Sequence, residues 1–455
     1  MHDLDLNYLR NLFIGLDKKV PISYKNNITP INFDNAATTP VFKNVLNKIT
    51  ESCEYYSSIG RGHGQKSEYS TKEYCNCRNY ILNFFNAPKE KYTVIFVNNT
   101  TDGINRLSNI LIEDRNDIVI TTRMEHHSND LPWRGKCNLK YIDVDDKGRL
   151  KLDELQYLLE KYNGLVKYVT ITAASNVTGY VNNLSYISKL VHSYNVKLIV
   201  DAAQIVAHKK INITNCGIDF LVFSAHKMYA PFGSGAIIGL TSEFERLNSD
   251  LKGGGSVKSV LDNSETLLPS PEKHEAGTPN FFGVISLVEA MKELENINFD
   301  IIEQNERLLL NHALNGLVLI PKVITYGDIK NINDKLGIVV FNIENMPDPK
   351  VAELLANLKA IAVRHGAFCA HPYVARLLNP NNLNLTRNLN SLCKIPGMVR
   401  ASFGLYNSIE EVDTFLNTVE LICGLNPWCI SLIILSIYFP YKKLLLVIIC
   451  YLNYC

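Results

Sequence analysis

Tryptophan is nearly absent from this chain of 455 residues, at two copies, and methionine is scarce at six. Neither sign of charge is in excess: 46 Lys and Arg stand against 45 Asp and Glu, for a net charge of +1. So even a balance supplies no bulk field to draw in nucleic acid or an anionic membrane. The eleven cysteines lack paired zinc-ligand spacing, and Cys75 and Cys77 stand one residue apart, too tight for the usual knuckle. No metal site is expected. The N-terminus, MHDLDLNYLRNLF, carries acids where a secretory leader wants bases, and no apolar stretch follows it. A reduced, cytoplasmic setting is therefore the expectation, with free thiols.

Long hydrophobic runs are missing as well. A spanning helix wants about 20 continuous apolar residues, whereas the apolar stretches 428–439 and 444–452 are split by Pro440, Tyr441, Lys442 and Lys443. Residues 424–455 read as an apolar tail that is a buried or loosely ordered appendage, or an aberrant reading-frame end. A tail anchor or hairpin, and with it membrane contact, is the alternative. No internal repeat is found.

What is present suits a globular protein with a sizeable core: 46% of residues are hydrophobic and 20% charged. From about 92 to 240, short β-branched runs alternate with amphipathic stretches. The runs are YTVIFV (92–97), DIVIT (117–121), KYVTIT (167–172), KLIVD (197–201) and DFLVF (219–223); INRLSNILI, LDELQYLLEKY and LSYISKLVHSY lie between them. This alternation predicts an α/β domain built on a mainly parallel, buried sheet. GGGS (253–256) reads as a loop or hinge. A long helix is expected after Pro279, followed by a strand at 336–343 and helices over PKVAELLANL and SIEEVDTFLNTVELI. The expected division is a large domain at 33–284 and a smaller α+β domain from 1–32 and 285–423. The Asn-rich stretch 379–392 reads as a surface loop.

The chemistry-bearing residues gather after the predicted strands. SAHK (224–227) follows DFLVF, placing a hydroxyl, an imidazole and the Lys227 amine at a strand's carboxyl end, where ligands collect in open α/β sheets. Alone, such a lysine is usually a solvated surface residue. Asp201, ending KLIVD with Gln204 three positions on, changes that reading. A carboxylate there can pair with a pyridinium nitrogen and make the ring an electron sink, although by itself it would serve as a helix cap. NNTTDG (98–103) offers hydroxyls and amides at a helix N-terminus, an anion site or a plain cap. MEHHSN (124–129) offers His126 to stack on a flat ring.

Together these segments resemble the class V aminotransferase family of fold-type I pyridoxal-phosphate (PLP) enzymes, in its cysteine desulfurase and selenocysteine lyase branch. The matching segments run in family order: FDNAATT (33–39), GRGHGQKS (60–67), NTTDGIN (99–105), EHHSN (125–129), SNVTG (175–179), DAAQ (201–204), FSAHK (223–227), GGGS (253–256), EAGTPN (275–280), AVRHGAFCAHP (362–372) and VRAS (399–402). The resemblance implies that Lys227 carries PLP as a Schiff base and later moves the α-proton, and that Asp201 pairs with the ring nitrogen. Gln204 and Asn176 would bond the ring oxygen or the substrate's imine region, and His126 would stack on the ring and shuttle protons. Thr100, Thr101, Ser224 and His226 would hold the phosphate, with Thr278 reaching it from a second subunit of a homodimer. Arg400, helped by Arg364, would clamp the substrate carboxylate, a task suited to a guanidinium fork. Cys369 falls where the family carries its sulfur-accepting cysteine, with His365 or Arg364 as nearby cations to favour the thiolate.

Two departures stand out. Gly60 occupies a position where family members often carry histidine, and the stretch between Cys369 and Arg400 is longer than in compact members. The resulting expectation is a cysteine desulfurase that converts L-cysteine to L-alanine, leaves a persulfide on Cys369, and passes the sulfur to an acceptor protein. Selenocysteine lysis, transamination and epimerisation share the cofactor motifs and remain rivals. A catalytically idle interaction protein held by its tail is a third reading, opposed by the intact Lys227.

Overall fold

The computed structural model describes residues 6–23, 26–60, 62–379 and 397–425. The expectations for the apolar tail beyond 425, and for the loop 379–392 past its first residue, lie outside the described residues, as does Arg61 of the GRGHGQKS segment.

Seven strands make the central sheet: β1 (Tyr92–Val97), β2 (Ile118–Thr122), β3 (Asn138–Ile142), β4 (Val166–Thr172), β5 (Lys197–Asp201), β6 (Phe220–Ser224) and β7 (Gly235–Leu240), in the order β1-β7-β6-β5-β4-β2-β3. The β6-β5-β4-β2-β3 block is parallel, and β7 runs antiparallel to both β6 and β1. The mainly parallel α/β sheet expected from the sequence is the one that forms. Successive residues of each strand enter opposite cores. Leu198, Val200, Leu221 and Phe223 pack into one, and Ile199, Phe220 and Val222 into the other. A sheet covered on both faces needs apolar residues on both sides of its inner strands, and this is why those segments read as continuous β-branched runs.

Beyond this sheet, α1 (Phe281–Ile297) and α2 (Phe299–Leu319) lead to a four-stranded sheet. Its strands are β8 (Val323–Thr325), β9 (Ile338–Ile343), β10 (Arg364–Gly366) and β11 (Met398–Ser402), in the order β8-β9-β11-β10. Helices α3 (Asp348–Lys359) and α4 (Ile409–Gly424) cover it around Val339, Phe341, Leu355, Val399 and Phe415. The start of α4 is set locally. The Ser408 hydroxyl accepts from the Glu411 backbone N–H while the Glu411 carboxylate accepts from the Ser408 N–H, a reciprocal cap. Near the N-terminus, Leu9 and Phe13 pack into the large core beside Phe42, and Ile31–Asn32 pairs in parallel with Ile361–Ala362. Among the described residues no helix is long and apolar enough to cross a membrane.

One packing detail sets the position of the site. The helix Thr100–Leu111 lies so close to β6 that a Cβ at Gly103 would stand 2.5 Å from Val222 Cγ1. This approach lets Thr100, at the helix N-terminus, meet Ser224 at the end of β6. Gly103→Ala is expected to cost about 1–3 kcal/mol, the usual penalty for overpacking a β-branched neighbour. Equilibrium urea unfolding of the variant checks this.

Candidate active site

The carboxyl ends of β1, β4, β5 and β6 open into a cavity of about 510 Å³, lined by Thr100, Thr101, His126, Asn176, Asp201, Gln204, Ser224, His226, Lys227, Arg364, Cys369 and Arg400. Of the residues singled out from the sequence, His365 lies outside this lining, and so does Thr278. Thr278 borders a second cavity, of about 570 Å³, together with Ser58, Thr71, Arg78 and Glu275.

Lys227 closes the single helical turn that follows β6. Burial pushes its amine down to about 8, against the pull of Asp201 in the opposite direction, while Arg400 adds to the depression. Asp201 is buried at the end of β5 and accepts the Ala203 N–H at 2.9 Å. Burial raises its pKa, and the Ala203 bond and Lys227 oppose the rise. His126 caps the short helix His127–Asp130, its Nδ1 accepting the Ser128 N–H at 3.1 Å. Burial, then Lys227, His127 and Arg400, bring its pKa down to about 3, so the imidazole is neutral, a state suited to stacking on a ring.

At the helix that opens with Thr100, the Ser224 hydroxyl accepts the Thr100 N–H at 2.7 Å and lies 2.7 Å from the Thr100 hydroxyl. The Thr101 hydroxyl stands 2.6 Å from that of Ser128. Hydroxyls at the N-terminus of a twelve-residue helix make a favourable place for an anionic group. His226 is held from the other side, its carbonyl accepting both the Thr38 and the Thr39 hydroxyls.

The substrate end of the cavity is built by the small sheet. Arg364 and Arg400 face each other across β10 and β11. Arg400 donates from Nη1 to the Asn176 carbonyl at 2.8 Å and from Nη2 to Asp34 at 3.2 Å, while its buried Nε has no protein partner. Burial lowers its pKa to about 10, and Asp34 counters the fall. Arg364 meets the other oxygen of Asp34 at 3.0 Å. One carboxylate therefore holds both guanidinium groups. Asp34 lies within FDNAATT, where no local signal reveals a partner more than 300 positions away.

The Cys369 loop is pinned in an uncommon backbone conformation. Phe368 and Cys369 both lie in the left-handed region, with φ of 50° and 54°. Their carbonyls accept from the Asn176 side-chain amide at 2.8 Å and from the His127 N–H at 2.7 Å. One N–H of the Asn176 amide, expected to serve the ring or the imine region, is thus given to the loop. His365, expected beside the thiol, instead faces Asp348 at 3.5 Å. The exposed Cys369 thiol is within electrostatic reach of both Lys227 and Arg400.

Fold and site together define a family. The chain belongs to the aminotransferase class-V family, whose pattern matches residues 31–415. It is 33% identical to a probable cysteine desulfurase of Borreliella burgdorferi over 90% of this chain and 94% of that protein. It is also 33% identical to a cysteine desulfurase of Klebsiella pneumoniae, over 82% of this chain and 86% of the relative. The solved apo structure of a cysteine desulfurase from Thermococcus onnurineus overlays with a TM-score of 0.78 at 33% identity, covering 87% of this chain and 95% of the other.

The residues present fit PLP. Gln204 Oε1 is buried in the cavity wall without a protein partner, in an interior where such atoms are normally paired. The donors around Thr100 and Ser224 suit a phosphate, Asp201 suits a ring nitrogen, and Lys227 suits an aldehyde carbon.

Proposed function

We propose that this chain is a PLP-dependent cysteine desulfurase that converts L-cysteine to L-alanine and takes the sulfur onto Cys369. The observation that carries this reading is the presence of Cys369 in one cavity with Lys227, Asp201 and the two arginines. Transamination or epimerisation needs a base and a carboxylate clamp but has no use for a thiol there.

When bound, PLP supplies an electron-withdrawing ring conjugated to the substrate's amino group. The chain's own residues do the rest. Arg400, through its unpartnered Nε, and Arg364 hold the substrate carboxylate. Asp201 would keep a positive charge on the ring nitrogen, and His126 would stack on the ring. The Lys227 amine moves the proton at Cα. The Cys369 thiolate attacks the substrate Sγ, and the Cβ–Sγ bond breaks with its electron pair passing to carbon. That carbon takes up a proton, so alanine leaves and the transferred sulfur remains on Cys369 as a persulfide. A protein thiol is then the acceptor, and a cytoplasmic homodimer with Thr278 turned toward the neighbouring subunit's phosphate completes the proposal.

The test is a single turnover with L-cysteine in the absence of reductant. It should yield alanine and a Cys369 peptide about 32 Da heavier, the mass of one sulfur left by covalent catalysis. Keto acid or D-cysteine as the sole product, with Cys369 unmodified, would overturn the reading in favour of another reaction of the family.

A further inference from the structure

Glu125 is a carboxyl group that the proposed chemistry does not use, yet it is 2% exposed and lies between two residues of the ring site. It precedes His126 in the chain and accepts the backbone N–H of Thr172 at 3.0 Å, and Thr172 is the cross-strand partner of Asp201. Two further donors complete its cage. The Thr122 hydroxyl reaches Oε1 at 2.6 Å and the Asn129 amide nitrogen reaches Oε2 at 2.7 Å.

The orientation of each donor is fixed. The Thr172 N–H can only donate. The Asn129 amide cannot turn, because its oxygen accepts the indole N–H of Trp133 at 3.3 Å and the Thr170 hydroxyl at 2.7 Å. The Thr122 oxygen accepts the Met124 N–H at 3.0 Å, which directs its own proton toward Glu125. A proton on Glu125 would find donors where it needs an acceptor. Among the described residues no Lys, Arg or His forms an ion pair with Glu125, and Asp201 is the charged group that faces it. The carboxyl is raised to about 8, by burial first, with the three donors opposing the rise and Asp201 adding to it. All three donors are oriented to the ionised form, so the cage favours the carboxylate.

We propose that Glu125 is a positioning residue of the cofactor site: its caged carboxylate fixes His126 and the strand end beside Asp201, and adds a second negative charge behind the ring. This rests on the reading of the cavity as a PLP site. Two roles are combined, one geometric and one electrostatic, and a pair of variants separates them. In Glu125→Gln, the new amide group must meet one of the three donors head-on, leaving it unpaired. In Glu125→Gln/Asn129→Asp, the Asp accepts from the new amide, from Trp133 and from Thr170. That change restores the pairing and the total charge but moves the carboxylate one side chain away from Asp201.

The measurements are the melting temperature of the apoprotein and the pH midpoint of the visible absorption band in the PLP-loaded protein. The single variant should melt lower and show its midpoint at lower pH, because a nearby negative charge favours the protonated cofactor. A fall of about one pH unit is expected for one charge acting through an effective dielectric near 20. The double variant should recover its melting temperature and keep the lowered midpoint. A midpoint unchanged in both variants, or one that recovers together with melting temperature, would overturn the proposal and leave Glu125 a structural residue. Failure of the underlying PLP reading would look different, since the unaltered protein would then show no visible band.

Discussion

Lys227→Ala should abolish turnover of L-cysteine and remove the visible absorption band that PLP acquires when covalently held, while the phosphate cradle still binds the cofactor reversibly. Within the cavity, Lys227 is the only lysine among the described lining residues, so no other amine can reach the cofactor's aldehyde carbon. In the proposed mechanism the same side chain moves the α-proton, and loss of a positioned acid–base group alone costs about 10²–10⁴ in rate. Losing both roles puts the residual rate below that range. Stopped-flow and absorption spectra of PLP-loaded wild type and variant decide the matter, and a variant keeping both band and activity would sink the assignment. A pH dependence follows from the amine, which burial lowers to about 8. Only the unprotonated amine attacks an aldehyde, so covalent loading of the apoprotein should accelerate as pH rises through about 8 and level off above it. An amine with the ordinary pKa of about 10.4 would still be accelerating two units higher.

Lys227 and Asp201 were legible because each ends or directly follows a β-branched run, so sequence position and chemical position coincide. YTVIFV and KLIVD form strands over the residues read from the sequence, and the DIVIT and DFLVF strands begin one residue later. The sequence reading missed β3 and β7 for two different reasons. Strand β3, NLKYI, is an edge strand whose first four residues are exposed or half-buried, so it carries no apolar run. Strand β7, GAIIGL, contains two glycines that strand propensity disfavours. Gly235 is required there because a Cβ would stand 2.5 Å from the Phe223 carbonyl oxygen.

The site divides along the same line. Residues placed in the cavity by one strand end could be read directly, whereas those placed by a distant partner could not. Asp34 joins Arg364 and Arg400 because the segment from Ile31 runs beside Ile361–Ala362 and bridges to Ser402. Glu125 was quoted as part of EHHSN, but its three donors come from Thr122, Asn129 and Thr172, and the bond from Thr172 depends on the packing of β2 beside β4. The commitment of Asn176 to the Phe368 carbonyl is likewise a contact across 192 positions. Periodicity and local motifs carry no trace of such pairs.

Cys369→Ala is the substitution that divides the family's reactions most sharply. The side chain is exposed, and the loop's backbone is held by its carbonyls rather than by its thiol. Alanine should therefore leave the fold intact, at a strain cost no greater than that already borne by the left-handed residue it replaces. Cofactor uptake through Lys227, Asp201 and Ser224 should match the unaltered protein, as should L-cysteine binding through Arg400 and Arg364, because neither involves the thiol. Release of alanine should stop, since the substrate sulfur has lost the nucleophile that must receive it before the Cβ–Sγ bond can break. A selenocysteine substrate is expected to tolerate the change better, because selenium is the better leaving group, and a transaminase or epimerase would not respond to it. Alanine, sulfide, selenide and keto acid measured side by side, with L-cysteine, L-selenocysteine and ordinary amino acids as substrates, separate these outcomes. Loss of alanine from L-cysteine alone, with PLP and substrate still bound, is the expected result. Unchanged turnover of every substrate would make Cys369 a bystander and remove the observation on which the desulfurase reading rests.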